Sequence, residues 1–321
     1  MSTDRTTHRA LLVDAFADDP LAGVPIGVVP EADNLSETQM RAVATELGAR
    51  VTAFVRPSVD GERRLRVYSP AGECGRHDDA ILAAYAQRYA EGEVAADEYV
   101  VDVRGPGADA GGSSDDLVDV EIDSDGTVWA TQSVASVQSV ALAYDRAGAA
   151  LGIDPATLRD VGADVPAAVA TTREPFLLVP VNFLSALSGA DPDSEALATL
   201  CAEHDVTGVY AFTFDTLSAA ATLHARVFVP DRGAGTGAFD PASAPPELAT
   251  AAGACGAYIQ VGDAFDDPPD EVVIEQGHFR DRPSQVRVRT GGPVRVGGRA
   301  VASLDGQLVV PEEDDDGIVE A

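Results

Sequence analysis

The sequence predicts an α+β protein of two similar halves, each a curved mixed sheet or barrel wrapped around one central helix. Three observations carry this. A five-residue string repeats: Arg66-Val-Tyr-Ser-Pro70 returns as Arg226-Val-Phe-Val-Pro230, 226 − 66 = 160 residues later. The order helix, strand, strand, helix occurs around both copies. The last helix of each set is rich in alanine on several faces, as expected where strands approach a helix from most sides.

In the first half, Ser36 is the expected N-cap of a helix through Leu47, with Met40, Val43 and Leu47 on one face. Val51–Val55 reads as a strand. Leu65 and Val67 alternate along the next strand, which stops at Pro70. Ala80–Tyr89 is the first alanine-rich helix, carrying Ala83, Ala84 and Ala86. In the second half, Asp193 and Glu195 open a helix to about Glu203, and Gly208–Phe214 is a strand. Val227 and Val229 alternate up to Pro230, and Pro246–Ile259 is the second alanine-rich helix. Gly105–Asp116 reads as a flexible loop. Glu312–Asp316 is a run of acids in a solvated tail. The boundary is expected between Asp123 and Ser136, giving halves of 1–130 and 131–306 and an acidic tail of 307–321, with the C-terminal strands free to cross back.

The chain of 321 residues carries 53 acidic and 22 basic side chains, a formal net charge of −31. Every basic residue is arginine. The absence of lysine excludes a Schiff-base lysine and the lysine of a phosphate loop. The charge excludes nucleic acid as a partner, because phosphates would repel it. Hydrophobic residues make up 45% of the chain, enough for a core. A surface so acidic repels itself until salt screens it, which points to a salt-rich, halophilic cytoplasm. No apolar run approaches the roughly 18–20 residues of a membrane span, and the N-terminus has no signal-peptide pattern, so a cytoplasmic location is expected. Cys74, Cys201 and Cys255 are too few and too scattered for a disulfide framework or zinc ribbon.

The motifs, taken in order, resemble the phenazine-biosynthesis PhzF-like proteins, which share the diaminopimelate-epimerase fold. The strings that carry the resemblance are Val13-Asp-Ala-Phe16, Pro20-Leu-Ala-Gly-Val-Pro25, Leu35-Ser36, Thr52-Ala-Phe54 and Ser69-Pro-Ala-Gly-Glu73. In the second half they are Arg226, Phe228, Pro230, Asp240-Pro-Ala242, Glu275-Gln-Gly277, Arg282-Pro-Ser284 and Val296-Gly-Gly-Arg-Ala-Val301. The resemblance implies two pseudo-symmetric epimerase-like domains with the active site between them. It also implies isomerisation of a small carboxylic acid without cofactor or metal. In the type reaction a glutamate moves a proton between carbons, and helix N-termini hold the substrate carboxylate. Relatives are often dimers, so a homodimer is the oligomeric expectation.

Departures from the family pattern cluster at its chemical positions. The family's catalytic glutamate falls at Val51, which can neither accept nor donate a proton. Counted without gaps from Glu73, the family's Gly-His falls at Asp78 and Asp79, with His77 one residue off. Asp240 is retained, but the following loop reads Ser243-Ala-Pro245, and proline removes a backbone donor. The asparagine of the family's Gly-Asn-Pro is Val24. The candidate catalytic residues are therefore Asp240, Asp79 and Asp78, with Val51, Glu73, His77 and Ser243 as substrate-binding or cleft residues. Asp78 and Asp79 also read as caps of their own helix. The two readings of the whole chain are an isomerase with a replaced proton-transfer group, or a ligand-binding relative that kept the fold without the chemistry.

Three other chemistries are weaker. Cys74 lacks a partner thiol near Asp240–Glu247, so a two-cysteine racemase is not supported, and a buried, inert thiol is expected. His77, Asp78 and Asp79 are consecutive and diverge at a helix start, which opposes a metal site. Gly233–Gly237 lacks the lysine of a phosphate loop. His8, His204, His224 and His278 are isolated and read as structural.

Overall fold

The structure, a computed structural model, describes residues 5–103, 105, 116–133, 135–161, 165–230, 248–261, 265 and 267–311. The first half contains β1 (Arg5–Ala15), β2 (Val24–Val29), α1 (Glu37–Leu47), β3 (Thr52–Arg56), β4 (Arg63–Ser69), the short β5 (Gly72–Glu73), α2 (Asp78–Ala90), β6 (Glu98–Asp102), β7 (Leu117–Ile122) and β8 (Val128–Thr131). The second contains β9 (Ser136–Ser139), α3 (Tyr144–Leu151), α4 (Pro155–Val161), β10 (Ala168–Thr171), β11 (Pro175–Pro180), α5 (Leu184–Ser188), α6 (Ser194–His204), β12 (Gly208–Thr213), β13 (Leu223–Phe228), α7 (Leu248–Val261), β14 (Glu271–Gln276), β15 (Ser284–Arg289), β16 (Arg295–Gly298) and β17 (Ala300–Pro311).

The repeat is topological as well as sequential. In the first half β2 and β3 are parallel with α1 between them, β3 and β4 are antiparallel, and β4 and β6 are parallel with α2 between them. The second half matches it: β11 and β12 are parallel, β12 and β13 antiparallel, and β13 and β14 parallel with α7 between them. The repeated strings lie on β4 and β13. A parallel pair needs a crossover, so each half contains two strand–helix–strand units joined by one antiparallel pair.

The halves are stitched at two seams. β8 pairs antiparallel with β16, from Val128↔Gly298 to Thr131↔Arg295. β17 returns to pair with β1 along its whole length. The segment Asp123–Ser136 expected as a boundary thus contains a paired strand. Gly297 lies against Trp129 at this seam, where a Cβ would come within 2.5 Å of the indole.

Local signals behave as their physics requires. Ser36 caps α1 in a full capping box with Gln39, and Asp193 caps α6 by accepting from Ala196 N–H. Helices α2 and α7 are buried along almost their whole length, including Leu82, Ala83, Ala84, Ala251, Ala252 and Ala254. Strands β1, β2, β3, β8 and β17 contact α2, and β9, β10, β11, β14, β15 and β16 contact α7. A small side chain on every face lets the surrounding strands close on the helix at interior packing density. No helix among the described residues is long and apolar enough to cross a membrane.

Candidate functional site

The two central helices touch, and their N-termini meet in one buried polar junction. The α2 end is set by β4 and β5. Arg66 on β4 grips Glu73 through Nε and Nη2 at 2.8 and 2.6 Å and also reaches Glu37 at 2.7 Å. Glu73 therefore anchors the turn into α2, with its side chain only 6% exposed. The next residues deliver His77 as the N-cap of α2, in extended backbone and without a side-chain capping bond.

Asp78 is fully buried. Arg76 Nε donates to its Oδ1 at 2.8 Å, Gln132 Nε2 donates to its Oδ2 at 2.9 Å, and Arg173 lies 3.8 Å away. Burial alone would raise the Asp78 carboxyl. Arg76 and Arg173 outweigh burial and hold it below the usual aspartate value. Arg76 is itself fixed by the Thr131 carbonyl at 2.7 Å, and Arg173 donates to the Arg76 carbonyl at 3.2 Å.

Asp79 turns the other way. Its Oδ2 accepts Leu248 N–H at 3.1 Å and its Oδ1 accepts Ala249 N–H at 3.0 Å. These are the first backbone donors of α7, which helix geometry leaves without partners. The expectation that Asp78 and Asp79 cap their own helix is corrected: Asp78 binds arginine and glutamine, and Asp79 caps the helix of the other half. A sequence window sees only the local helix, and this contact spans 249 − 79 = 170 residues.

Val51 is wholly buried in the main apolar core, together with Val55, Val67 and Ala80. Arg50 beside it is held below its usual value by burial and by Arg280, with Asp79 opposing. Asp240, Ser243, Pro245, the glycine-rich Gly233–Gly237 and the acidic run from Glu312 lie outside the described residues. The junction therefore brings together His77, Asp78 and Asp79. Glu73 is set behind them as an ion-paired anchor and Val51 in the core. Arg50, Gln132 and Arg173 were missed by sequence reading. Arg50 adjoins Val51, but nothing local marks Gln132 or Arg173.

Cys74 is half-buried rather than buried, and its thiol faces the Gly72 carbonyl at 3.6 Å. Cys255 lies inside α7, where burial pushes its thiol pKa up. Among the described residues no three His, Cys, Asp or Glu side chains converge to hold a metal.

A second polar cluster lies on β13, β14 and the 3-10 turn His278–Arg280. Glu275 accepts the Leu217 and Ser218 N–H groups at 2.9 and 2.7 Å and meets His224 Nδ1 at 3.2 Å. The His278 and Phe279 rings lie 5.1 and 5.0 Å from the His224 ring. Burial lowers the His224 pKa against the opposing pull of Glu275. Of the four histidines read as isolated in sequence, His224 and His278 thus come together, since the β13–β14 pairing sets His224 beside Glu275 and the turn that follows β14.

A repeated strand–helix unit, a central helix in each half and a buried polar junction where the two helix starts meet define the epimerase-type class of α+β folds. Within that class the chain belongs to the phenazine biosynthesis-like (PhzC-PhzF) family, whose model matches residues 13–306. It is 29% identical to an uncharacterised isomerase of Mesorhizobium japonicum over 318 residues, 95% of this chain and 99% of that protein. It is 40% identical to the trans-2,3-dihydro-3-hydroxyanthranilate isomerase of Pseudomonas aeruginosa over 67 residues, 21% of this chain and 24% of that enzyme. Its fold matches a PhzF-family phenazine biosynthesis protein of Bacillus anthracis with a TM-score of 0.79 at 20% identity, over 95% of this chain and 100% of that one.

Proposed function

We propose that this protein is a cofactor-independent isomerase that moves a proton within a small carboxylic acid at the junction of α2 and α7. The observation that carries the reading is a pair of hydrogen bonds from α7 to a carboxylate: the Leu248 and Ala249 N–H groups both donate to Asp79. Donors from a helix start, with Arg50 nearby, form a receptor for a carboxylate, and the helix dipole favours the anion. Family membership supports isomerase chemistry, and Val51 at the family's glutamate position means another group must move the proton. Asp79 and Asp240 are the candidates. Asp78 suits the role less well, because its charge is already compensated by Arg76 and Arg173.

A second reading has its own support. With Val51 in the apolar core and both Asp78 and Asp79 engaged by protein donors, the junction resembles a binding site without a poised base. Incubation with candidate small acids in D2O and molar KCl separates the two, starting with the dihydro-hydroxyanthranilate named for the Pseudomonas aeruginosa relative. Deuterium at a substrate carbon, lost in Asp79→Asn or Asp240→Asn, supports the isomerase. Saturable binding without exchange across the panel supports the ligand-binding relative.

A further inference from the structure

At 12 residues β17 is the longest strand described, and it spans about 40 Å. It pairs with β1 along one edge, and among the described residues no strand pairs with the other. An open edge of this length offers a row of backbone N–H and C=O groups to any extended chain, and soluble proteins guard such edges with charges, bulges or prolines. The register break against β1 falls at Ser303, because Leu12 faces Leu304 and Val13 faces Ala302. Pro311 is the last residue of the strand. Between these two guards, residues 304–310 run in unbroken register. That stretch has one charged side chain, Asp305, in a chain that is 23% charged overall. Arg9 neutralises it through hydrogen bonds of 2.9 and 2.7 Å. Leu304 and Val309 are exposed, at 47% and 56%.

We infer that the open edge of β17 pairs antiparallel with β17 of a second copy of this chain, about a two-fold axis through Gly306. The occupant follows from charge. With a net charge of −31 the chain repels another copy over most of its surface, and association is least opposed where the surface carries no net charge. The middle of β17 is such a surface. A basic partner would be drawn to the acidic faces instead. The axis follows from the geometry of antiparallel pairing. Opposed residues turn the same backbone edge toward each other, and that edge alternates along a strand. When both strands have one sequence, a residue can oppose only itself or one an even number of positions away, so the axis passes through a residue. Centred on Asp305, it would set two carboxylates face to face. Centred on Gly306, it sets each Asp305 across from a Gln307 amide, each Leu304 across from a Leu308, and glycine across from glycine. Ser303 and Pro311 then fall outside the central pairs. The pairing uses no residue of the α2–α7 junction, so it stands independently of the isomerase reading.

The test is sedimentation equilibrium of the full chain in molar KCl, where long-range repulsion is screened. Wild type should have the mass of two chains and dissociate on dilution. A Cβ at position 306 would meet nothing nearer than Leu304 Cδ2 at 3.8 Å, so Gly306→Asp and Gly306→Arg leave the fold of the single chain alone. Each puts two like charges face to face on the axis and should weaken the dimer at least about tenfold. Mixed in equal amounts, these two variants should associate again, with opposite charges across the axis. Leu304→Asp, at a side chain already half exposed, should weaken the dimer by a similar factor and decides the matter if the glycine variants do not fold. A wild type that stays monomeric leaves the edge to a different chain and overturns the inference. A dimer that the variants leave intact has its interface elsewhere and overturns it too. A mixture of the glycine variants that stays monomeric overturns the axis at Gly306.

Discussion

Gln132 donates from Nε2 to Asp78 Oδ2 at 2.9 Å, tying the segment after β8 to the first residue of α2 across 132 − 78 = 54 residues. With Arg76 and Arg173, both partly exposed, this closes a network around a fully buried carboxylate that balances guanidinium charge. Removing one partner of such a network leaves the others uncompensated.

Asp78→Ala should therefore cost about 3–5 kcal/mol of stability at neutral pH, read by urea denaturation. The sign with pH follows from the depressed pKa of Asp78. Its contribution is complete above the ordinary aspartate value of about 3.9 and is lost as pH falls through the lower folded value. Asp78→Asn should show a shallower acid limb than wild type. An unchanged limb would mean that Asp78 is not ionised in the folded state.

His224 should act in the same direction, but nearer neutral pH. Its folded pKa is lowered by burial, so the folded state resists protonation there. The unfolded chain binds the proton more readily, and stability falls as pH drops through about 6.5. The thermal midpoint of wild type should decline between about pH 7.5 and 5.5. In His224→Gln that decline should flatten. Equal slopes in the two proteins count against a neutral, buried His224 paired with Glu275.

Trp129, the sole tryptophan, sits at the seam of β8 and β16 with the Arg289 guanidinium 3.7 Å from its ring. Gly297→Ala should force the ring aside, cost about 1–3 kcal/mol and shift the emission of a side chain that is fully buried in wild type. Unchanged emission with unchanged stability would place the seam elsewhere.

The net charge of −31 predicts that salt stabilises the fold by screening. Unfolding midpoints should rise steadily from low salt to molar KCl. A midpoint that stays level or falls with KCl rules out the halophilic reading of the surface.

Much of the architecture was legible in the sequence because it rests on short-range physics. The Arg66 and Arg226 strings stand on equivalent strands, β4 and β13, since alternation and a terminal proline are local properties. Ser36 and Asp193 cap α1 and α6 as their residue types require. The alanine-rich runs are the central helices α2 and α7, because small side chains on every face have one use in a packed core. The site was legible only in part. His77, Asp78 and Asp79 were singled out, but their partners were not, since Gln132 and Arg173 carry no local mark.

The sequence by itself determined the two-fold plan, the family and the residues at the start of α2. The tertiary structure alone decided what those residues do. Two adjacent aspartates at a helix start have the same local chemistry. They part because α2 meets the start of α7 on one side and Arg76, Gln132 and Arg173 on the other, so Asp78 becomes a buried counter-ion and Asp79 a cap for a helix 170 residues away. Hydrogen bonds and burial act over a few ångströms of space, and only the folded chain says which residues share them.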